Sequence, residues 1–314
     1  MEYLLLIAGL AILIGGGEIL VKGAVAVALK FNVSVLVIGM TIVSLGTSAP
    51  ELLVSIKAAI QGHPDISIGN VIGSNIANIS LILGITAIIF PILISRDSLK
   101  FDWPVMMVSS LIFYFFLLNY RVEFYEGLIL LLILISFNIW IIVKSRKEHI
   151  QSIIQDDSEF KTEVKIPIWK SAVYIVLGCV GLTLGAEWFL TGAVDIAHKF
   201  GISERIIAIT VVSFGTSVPE LVTSGIAAFR KQTDISIGNL IGSNVFNILG
   251  ILGITAMVTE IPVSIEMANF DIYWMLAVSL LIFPLMYFGR KIGRFKGFIL
   301  VAFYIVYIFL VVNK

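Results

Sequence analysis

The chain has 314 residues, of which 59% are hydrophobic and 13% are charged, and its mean hydropathy is +1.04. A soluble globular protein carries roughly 25% charged residues, so this composition excludes a soluble domain and indicates a polytopic membrane protein. The single cysteine excludes an intrachain disulfide and a cysteine metal cluster, and the three histidines form no HExxH motif.

Ten segments are long and apolar enough to be membrane-spanning helices, which need about 20 mostly apolar residues. In chain order the predicted spans are residues 3–25, 33–60, 66–90, 103–119, 124–144, 169–192, 202–229, 235–259, 271–288 and 296–312. The longest loop, residues 145–168, is rich in Lys, Glu and Asp and is predicted to be a solvated cytoplasmic linker. It separates a first transmembrane repeat, residues 1–144, from a second, residues 169–314.

The two predicted repeats share their motifs. Gly46-Thr-Ser-Ala-Pro-Glu51 in the second span recurs as Gly215-Thr-Ser-Val-Pro-Glu220 in the seventh, an offset of 169 residues. In the third and eighth spans, Gly73-Ser-Asn-Ile-Ala-Asn78 recurs as Gly242-Ser-Asn-Val-Phe-Asn247 with the same offset. Because each half has five spans, an odd number, the halves must cross the membrane in opposite directions. The sequence therefore predicts an all-α fold of ten transmembrane helices in two inverted five-helix repeats, as in many secondary transporters.

The distribution of basic residues predicts the orientation. With the linker in the cytoplasm, sixteen Lys and Arg residues fall on the inside and five on the outside, which agrees with the positive-inside rule. This arrangement predicts a multi-pass protein of a prokaryotic cell membrane with both termini extracellular.

The motif in the second span combines a helix breaker with oxygen ligands. Pro50 lacks an N–H and clashes with the carbonyl four residues back, so the helix should break near Gly46 and free backbone carbonyls. Freed carbonyls, hydroxyls and a carboxylate together suit a hard cation such as Ca²⁺ or Na⁺. Irregular backbone at membrane depth is tolerated only where it lines a cavity or is buried in protein. The predicted cation ligands in the two broken spans are Thr47, Ser48, Glu51, Thr216, Ser217 and Glu220.

The third and eighth spans supply neutral oxygens. Asn70, Ser74 and Asn78 are four residues apart, so they lie close to one helical face. Ligation there competes with simple hydrogen bonding between helices. The predicted ligands in these spans are Ser74, Asn78, Ser243 and Asn247, and the residues predicted to line the access path or to pack are Asn70, Asn75, Asn239 and Asn244.

The charge of this site predicts its coupling. Two ionised glutamates supply about two negative charges, which one divalent or two monovalent cations neutralise. If the cations left, two carboxylates would face each other in low dielectric, where an unpaired charge is very costly. An empty, ionised site should therefore resist crossing the membrane, which is the physical basis of obligatory exchange. Alternatively both carboxyl groups bind protons, and H⁺ becomes the driving ion.

These motifs, in this order and in both halves, resemble those of the calcium/cation antiporter superfamily and, within it, prokaryotic sodium/calcium exchangers. The resemblance implies secondary active exchange of Ca²⁺ for Na⁺ by alternating access at a midplane site, with Glu51 and Glu220 as central ligands. It implies no enzymatic activity and no cofactor. The expected partners are inorganic cations and the lipid bilayer, without nucleic acid or an obligatory protein. Many such exchangers carry Asp where this chain has Asn247, and Asn78 is neutral as well, so the driving ion and the stoichiometry stay open.

Three alternatives remain, namely an H⁺/Ca²⁺ antiporter, a cation channel and an intramembrane hydrolase. Channels usually build a pore by subunit symmetry, and no nucleophile or histidine accompanies the two glutamates as a hydrolase would require. The other duplicated acids have simpler interpretations. Glu18 and Glu187 lie near the ends of their spans, where snorkelling is expected, and Asp102 and Asp271 are predicted to cap helices.

Overall fold

The computed structural model describes residues 2–155, 167–201 and 213–313, and this part of the chain is almost entirely helical. Eight of its helices are long and apolar enough to cross a membrane, and a bent helix pair makes up to nine. The prediction of an all-α, multi-pass membrane protein is confirmed. The helices are α1 Glu2–Phe31, α2 Val35–Thr47, α3 Ala49–Ile60, α4 Pro64–Ile89, α5 Ser98–Asn119, α6 Phe124–Gln155, α7 Ile168–Lys199, α8 Ser213–Thr216, α9 Val218–Phe229, α10 Thr233–Val258, α11 Met267–Arg290 and α12 Arg294–Val312.

The helices are longer than the predicted spans at several ends. The fifth predicted span ends at residue 144, whereas α6 continues to Gln155, so the segment predicted as a linker begins inside a helix. Residues 156–166 of that linker and residues 202–212 of the seventh predicted span lie outside the described residues. The charged stretch Arg146-Lys147-Glu148 resembles a loop in the sequence. Composition alone does not distinguish a solvated helix from a solvated loop.

The two inner helices are α4 and α10. In their most apolar windows 72% and 83% of the residues are buried, against 33% or less for the other six candidate spans. Both inner helices contain a π-helical segment, Ala77–Ile82 in α4 and Asn247–Leu252 in α10. A π turn inside an α-helix is rare and is frequently found at functional sites. The unusual backbone and the deepest burial therefore coincide in the same two helices.

Short strands tie the two halves of the chain together. Strand β1, Ile92–Leu93, pairs antiparallel with β4, Lys291–Ile292, and β2, Arg121–Val122, pairs antiparallel with β3, Ile261–Pro262. Each pair joins a strand from the first half to one from the second, so neither half completes its own hydrogen bonding in these loops.

Close helix contacts at glycines also join the first half of the chain to the second. A Cβ on Gly297 of α12 would lie 2.6 Å from the carbonyl oxygen of Gly84 in α4. A Cβ on Gly127 of α6 would lie 2.6 Å from the carbonyl oxygen of Gly253 in α10. Small residues let helix backbones approach closely in a membrane. Each inner helix is therefore packed against an outer helix of the other half.

Helices α1 and α7 form a long pair that depends on glycine. A Cβ on Gly9 would lie 2.4 Å from the backbone nitrogen of Phe189, and one on Gly185 would lie 2.8 Å from the backbone nitrogen of Leu13. These neighbours are backbone atoms, which cannot move aside as the end of a flexible side chain can. The pair thus has no room for a larger residue at its crossing points.

The substitution Gly9→Leu is expected to force α1 and α7 apart and to destabilise the protein by about 2 kcal/mol or more. The matched control is Gly15→Leu on the same helix, because nothing lies within 4 Å of a Cβ at Gly15. Thermal unfolding of the purified protein in detergent, followed by size-exclusion chromatography, measures the difference. Equal unfolding temperatures for the two variants would show that the α1–α7 contact does not require glycine.

Candidate functional site

The second predicted span is broken at its motif, as expected. Helix α2 ends at Thr47, α3 begins at Ala49, and the two axes are bent by 46°. Pro50 lies in the first turn of α3, where its missing N–H leaves the carbonyl of Gly46 without its helical partner. A Cβ on Gly46 would lie 2.4 Å from Sγ of Cys179, so only glycine fits beside α7 at the break.

The second half repeats this geometry. Helix α8 ends at Thr216, α9 begins at Val218, and Pro219 lies in the first turn of α9. In each half the break places a glutamate in the first turn of the new helix, Glu51 in α3 and Glu220 in α9. The N-terminal end of a helix favours a negative charge through its unpaired N–H groups and its dipole. The proline therefore both frees backbone carbonyls and positions the carboxylate.

The two carboxyl groups are fully inside the protein. Glu51 is 1% exposed and Glu220 is 0% exposed. Ser48, between α2 and α3, donates a hydrogen bond of 2.9 Å from Oγ to Oε1 of Glu220, so the first break contacts the carboxylate of the second. Oε2 of each glutamate has no hydrogen-bond donor. Buried acceptors without donors cost free energy unless something else compensates them, and a cation is the partner that acceptors alone can hold.

A layer of four asparagines joins α4 to α10 next to the carboxylates. Nδ2 of Asn78 donates to Oδ1 of Asn244 at 3.0 Å, and Nδ2 of Asn247 donates to Oδ1 of Asn75 at 3.4 Å. Nδ2 of Asn244 also donates to the backbone oxygen of Asn75 at 3.1 Å. Oδ1 of Asn78 and Oδ1 of Asn247 are left without donors. Three of the four Nδ2 atoms thus donate within the layer, and two amide oxygens remain free to accept.

On one side of this layer, α2 seals against α10. Oγ1 of Thr47 donates to Oδ1 of Asn239 at 3.1 Å and lies 3.5 Å from Oγ of Ser243. Ser243 in turn lies 3.5 Å from Oε1 of Glu220 and donates toward it. A Cβ on Gly242 would lie 2.5 Å from Cα of Met40. The helices touch backbone to backbone here, so this side is closed.

The equivalent place on the other side contains a cavity of about 400 Å³. It is lined by Asn70 and Thr216, the counterparts of Asn239 and Thr47, and it extends past Asp271 and Tyr307. Nδ2 of Asn70 donates to the backbone oxygen of Glu51 at 3.1 Å, so the cavity reaches the helix that carries this carboxylate. The cavity therefore borders α3, α4, α11 and α12 together with the last residue of α8.

All ten predicted ligands are buried, and most of them meet. Ser48, Thr47, Ser243 and Glu220 form one connected group, and Asn78 and Asn247 lie in the asparagine layer. Thr216 lines the cavity of about 400 Å³. Across the described ranges, no group of three or more His, Cys, Asp or Glu side chains could hold a metal ion, so a cation would have to use hydroxyl and amide oxygens beside the two carboxylates. The buried ligand candidates are Thr47, Ser48, Glu51, Ser74, Asn78, Thr216, Ser217, Glu220, Ser243 and Asn247.

Four supporting residues were missed by the sequence interpretation. Oγ of Ser55 accepts from Asn70 at 2.9 Å, and Oγ of Ser224 accepts from Asn239 at 3.0 Å. Sδ of two methionines lies against the asparagine layer, Met275 at 3.6 Å from Nδ2 of Asn75 and Met106 at 3.7 Å from Nδ2 of Asn244. Both pairs keep the offset of 169 residues, so a complete search for duplicated positions would have found them.

Comparison with known proteins agrees with this site. The family model described as sodium/calcium exchanger protein matches residues 1–143 and 170–313. The sodium/calcium exchanger MaX1 of Methanosarcina acetivorans is 32% identical over 346 residues, covering 98% of this chain and 97% of that protein. The inner membrane protein YrbG of Escherichia coli K12 is 32% identical over 311 residues, with coverage of 97% and 94%.

A solved structure of the sodium-calcium exchanger NCX_Mj, soaked with zero Na⁺ and Ca²⁺, is similar along the whole chain. It has a TM-score of 0.83 and 33% sequence identity, and the match covers 97% of both chains. The family model covers both halves, and these similarities extend over nearly the full length. The chain therefore belongs to the sodium/calcium exchanger protein family, a family of membrane transporters.

Proposed function

We propose that this chain is a secondary active antiporter that exchanges Ca²⁺ for Na⁺ across the cell membrane. The observation that carries the proposal is the meeting of two buried carboxylates, each at a helix break, with oxygens that have no donors. Glu51 and Glu220 are the central ligands in this proposal. MaX1 and NCX_Mj, which resemble the chain over nearly its full length, carry sodium/calcium exchange in their names.

Each proposed ligand type has a separate role. The carboxylates supply charge, the hydroxyls of Thr47, Ser48, Thr216 and Ser217 and the freed carbonyls beside them supply neutral oxygens, and Ser74 and Ser243 add hydroxyls from the inner helices. Asn78 and Asn247 present amide oxygens whose orientation is fixed, because their N–H groups are already bonded across the layer. Fixed oxygens lower the reorganisation that cation binding requires.

The charge of the site determines the exchange in this proposal. Two ionised glutamates balance one Ca²⁺ or two Na⁺, since the asparagines contribute no charge. A loaded site is close to neutral and can pass between the two access states. An empty one carries two uncompensated negative charges in low dielectric, which opposes the same passage. Transport of one ion then requires return of the other.

The contacts between the halves support the proposed architecture of ten helices in two inverted five-helix repeats. Residues 1–144 form the first repeat, residues 145–168 the cytoplasmic linker and residues 169–314 the second repeat. The strand pairs, the glycine contacts and the asparagine bonds all occur twice with exchange of the halves. With both termini outside, as the basic residues favour, α4 begins at the outer face, and the cavity beside it opens outward.

The convergence of both halves on one buried site supports alternating access over a channel. Ser48 of the first half donates to Glu220 of the second half, and both carboxyl groups are buried. A channel conducts through a pore that is open on both sides at once, whereas an alternating transporter exposes one midplane site to one side at a time.

Exchange against H⁺ is the second candidate, and one observation favours it. Oε2 of Glu51 and Oε2 of Glu220 have no donors, and protons on these atoms would relieve the charge as cations do. Either ion restores neutrality in the empty site, so the driving ion must be measured.

Transport by the purified full-length chain in proteoliposomes tests the proposal. Ca²⁺ uptake should depend on an outward Na⁺ gradient and persist when the pH is equal on both sides and clamped by a protonophore. Uptake driven by a pH gradient alone, without any effect of Na⁺, would establish the H⁺ exchanger instead. Ca²⁺ flux that needs no counter-ion would establish a channel, and protein-free liposomes give the leak to subtract.

A further inference from the structure

Two aspartates occupy equivalent positions outside the central site. Asp102 ends a π-helical turn, Ser98–Asp102, at the start of α5, and Asp271 ends the corresponding turn, Met267–Asp271, in α11. The prediction that they cap helices is wrong, because neither side chain makes a capping hydrogen bond and the helix continues through the π turn. An acid in the first turns of a membrane-spanning helix that is not a cap needs another role.

Asp102 is buried without a hydrogen-bond donor. It is 1% exposed, and neither carboxyl oxygen accepts a hydrogen bond of normal geometry, although Ser98 is its nearest side-chain donor. It lines a cavity of about 260 Å³ beside α2. Lys144 borders this cavity but is engaged elsewhere, since Nζ lies 2.9 Å from the ring centre of Phe101 and 3.5 Å from Oε1 of Glu148.

The surroundings of Asp102 are mainly acidic. The charged groups that face it or line the same cavity are three acids, Asp97, Glu148 and Asp234, and one base, Lys144. An acidic recess with low-dielectric walls raises the local concentration of cations. The recess lies on the sealed side, because residues of α2 form one of its walls.

Asp271 occupies the corresponding place in the second half. It lines the cavity of about 400 Å³, and one of its carboxyl oxygens accepts a hydrogen bond of 3.1 Å from the hydroxyl of Tyr307. Asp65, the counterpart of Asp234, lines the same cavity. Each of the two cavities is therefore lined by one of these aspartates together with at least one further acid.

Both aspartates lie one helical turn outward from the asparagine layer. Met106 follows Asp102 by four residues and Met275 follows Asp271 by four, a rise of about 6 Å along each helix. The two methionine sulfurs are those that lie against Asn244 and Asn75. Each aspartate thus lies one turn along its helix from a methionine whose sulfur contacts the proposed binding layer.

We propose that Asp102 and Asp271 are outer transfer sites for the exchanged cations, one on each access path. This proposal rests on the proposed function and adds two positions to it. A cation arriving with part of its water shell exchanges waters for a carboxylate oxygen at Asp271 or Asp102, and then moves inward to the glutamates. A single carboxylate gives weak, brief binding, which suits a transfer site and agrees with the missing metal-type cluster among the described residues.

The test compares Asp102→Asn and Asp271→Asn in right-side-out and inverted membrane vesicles. Removing one charge from an access path should raise the half-saturating Ca²⁺ concentration by roughly fivefold or more, at one membrane face for Asp102→Asn and at the opposite face for Asp271→Asn. Equilibrium Ca²⁺ binding to the detergent-purified variants should stay within about twofold of the unaltered protein, which also verifies folding. Glu187→Gln is the control, because Glu187 is an exposed acid that is not among the residues lining either cavity and its charge is screened by salt.

Several outcomes would overturn the transfer sites. Unchanged half-saturation at both faces, a change at the same face for both variants, or an effect no larger than that of Glu187→Gln would each do so. Loss of equilibrium Ca²⁺ binding in folded Asp102→Asn would assign Asp102 to the central site instead. Asp271→Asn tests the second cavity independently, since Asp271 lines it. The proposed function fails separately, if Glu51→Gln leaves Ca²⁺ binding and exchange intact.

Discussion

Substitution of Glu51 or Glu220 by glutamine is expected to abolish Ca²⁺ exchange. Glutamine has nearly the same shape but removes one of the two charges that hold the cation. Loss of one partner from a buried charge pair costs about 3 kcal/mol or more, which corresponds to about a hundredfold loss of affinity. The two variants should be equally impaired, because both carboxylates lie at equivalent helix breaks and both are fully buried.

Radioactive Ca²⁺ uptake in proteoliposomes and equilibrium Ca²⁺ binding in detergent measure this effect. Glu187→Gln is the matched control, since Glu187 is another duplicated acid on a spanning helix but is exposed. Near-normal uptake by Glu51→Gln or Glu220→Gln, at Ca²⁺ concentrations that half-saturate the unaltered protein, would remove the carboxylates from the site.

Gly242→Ala is expected to lower the unfolding temperature and to reduce exchange. Gly242 lies in α10 where this helix meets α2. A Cβ there would lie 2.5 Å from both Cα and the backbone oxygen of Met40, and backbone atoms cannot move aside as the end of a flexible side chain can. The added methyl group would therefore separate α2 from α10 beside Ser243, one of the proposed ligands.

Gly225→Ala on α9 is the matched control, because nothing lies within 4 Å of a Cβ at that position. Gly242→Ala should destabilise the protein by about 2 kcal/mol or more, and its exchange rate should fall by about tenfold or more, which corresponds to about 1.4 kcal/mol. Gly225→Ala should differ little from the unaltered protein. Thermal unfolding in detergent and Ca²⁺ uptake in proteoliposomes measure both effects. Equal unfolding temperatures and exchange rates for the two variants would mean that the contact between α2 and α10 does not require glycine.

Much of the fold could be predicted because its signals are local. Long apolar runs predict spanning helices whatever their neighbours are, and Pro50 breaks its helix by removing a single hydrogen bond. The extension of α6 beyond residue 144 was missed because Arg146, Lys147 and Glu148 are charged and exposed. The π turns in α4 and α10 were missed as well, because a π turn depends on how the surrounding helices satisfy the backbone rather than on residue type.

The chemistry of the site was predictable, but its hydrogen bonding was not. A carboxylate in an apolar span is costly wherever it packs, so Glu51 and Glu220 stood out from the sequence alone. Asn75 and Asn244 were interpreted as access-path or packing residues, whereas they bond to the amides of the predicted ligands. Which asparagine orients which depends on the meeting of α4 and α10, and these helices are far apart in the sequence.

The sequence also could not predict which polar groups meet between the halves. Oγ1 of Thr47 bonds to Asn239, 192 residues away, and Oγ of Ser48 bonds to Glu220, 172 residues away. Such contacts depend on how distant helices pack, which a local sequence pattern does not encode.

The strand pairs between the halves bear on how such a chain could have arisen. Strand β1 pairs with β4 and β2 with β3, and the glycine contacts join α4 to α12 and α10 to α6 in the same crossed manner. Every crossed contact therefore occurs twice. The surface that the first half supplies in one copy is supplied by the second half in the other copy. A protein of half this length could complete the same set of contacts by dimerising with a copy of itself in the opposite orientation. Fusion of two such copies would then preserve the contacts between the halves. Later divergence of the two halves, as at Glu126 and Lys296, would be free to favour one conformer of the transporter over the other.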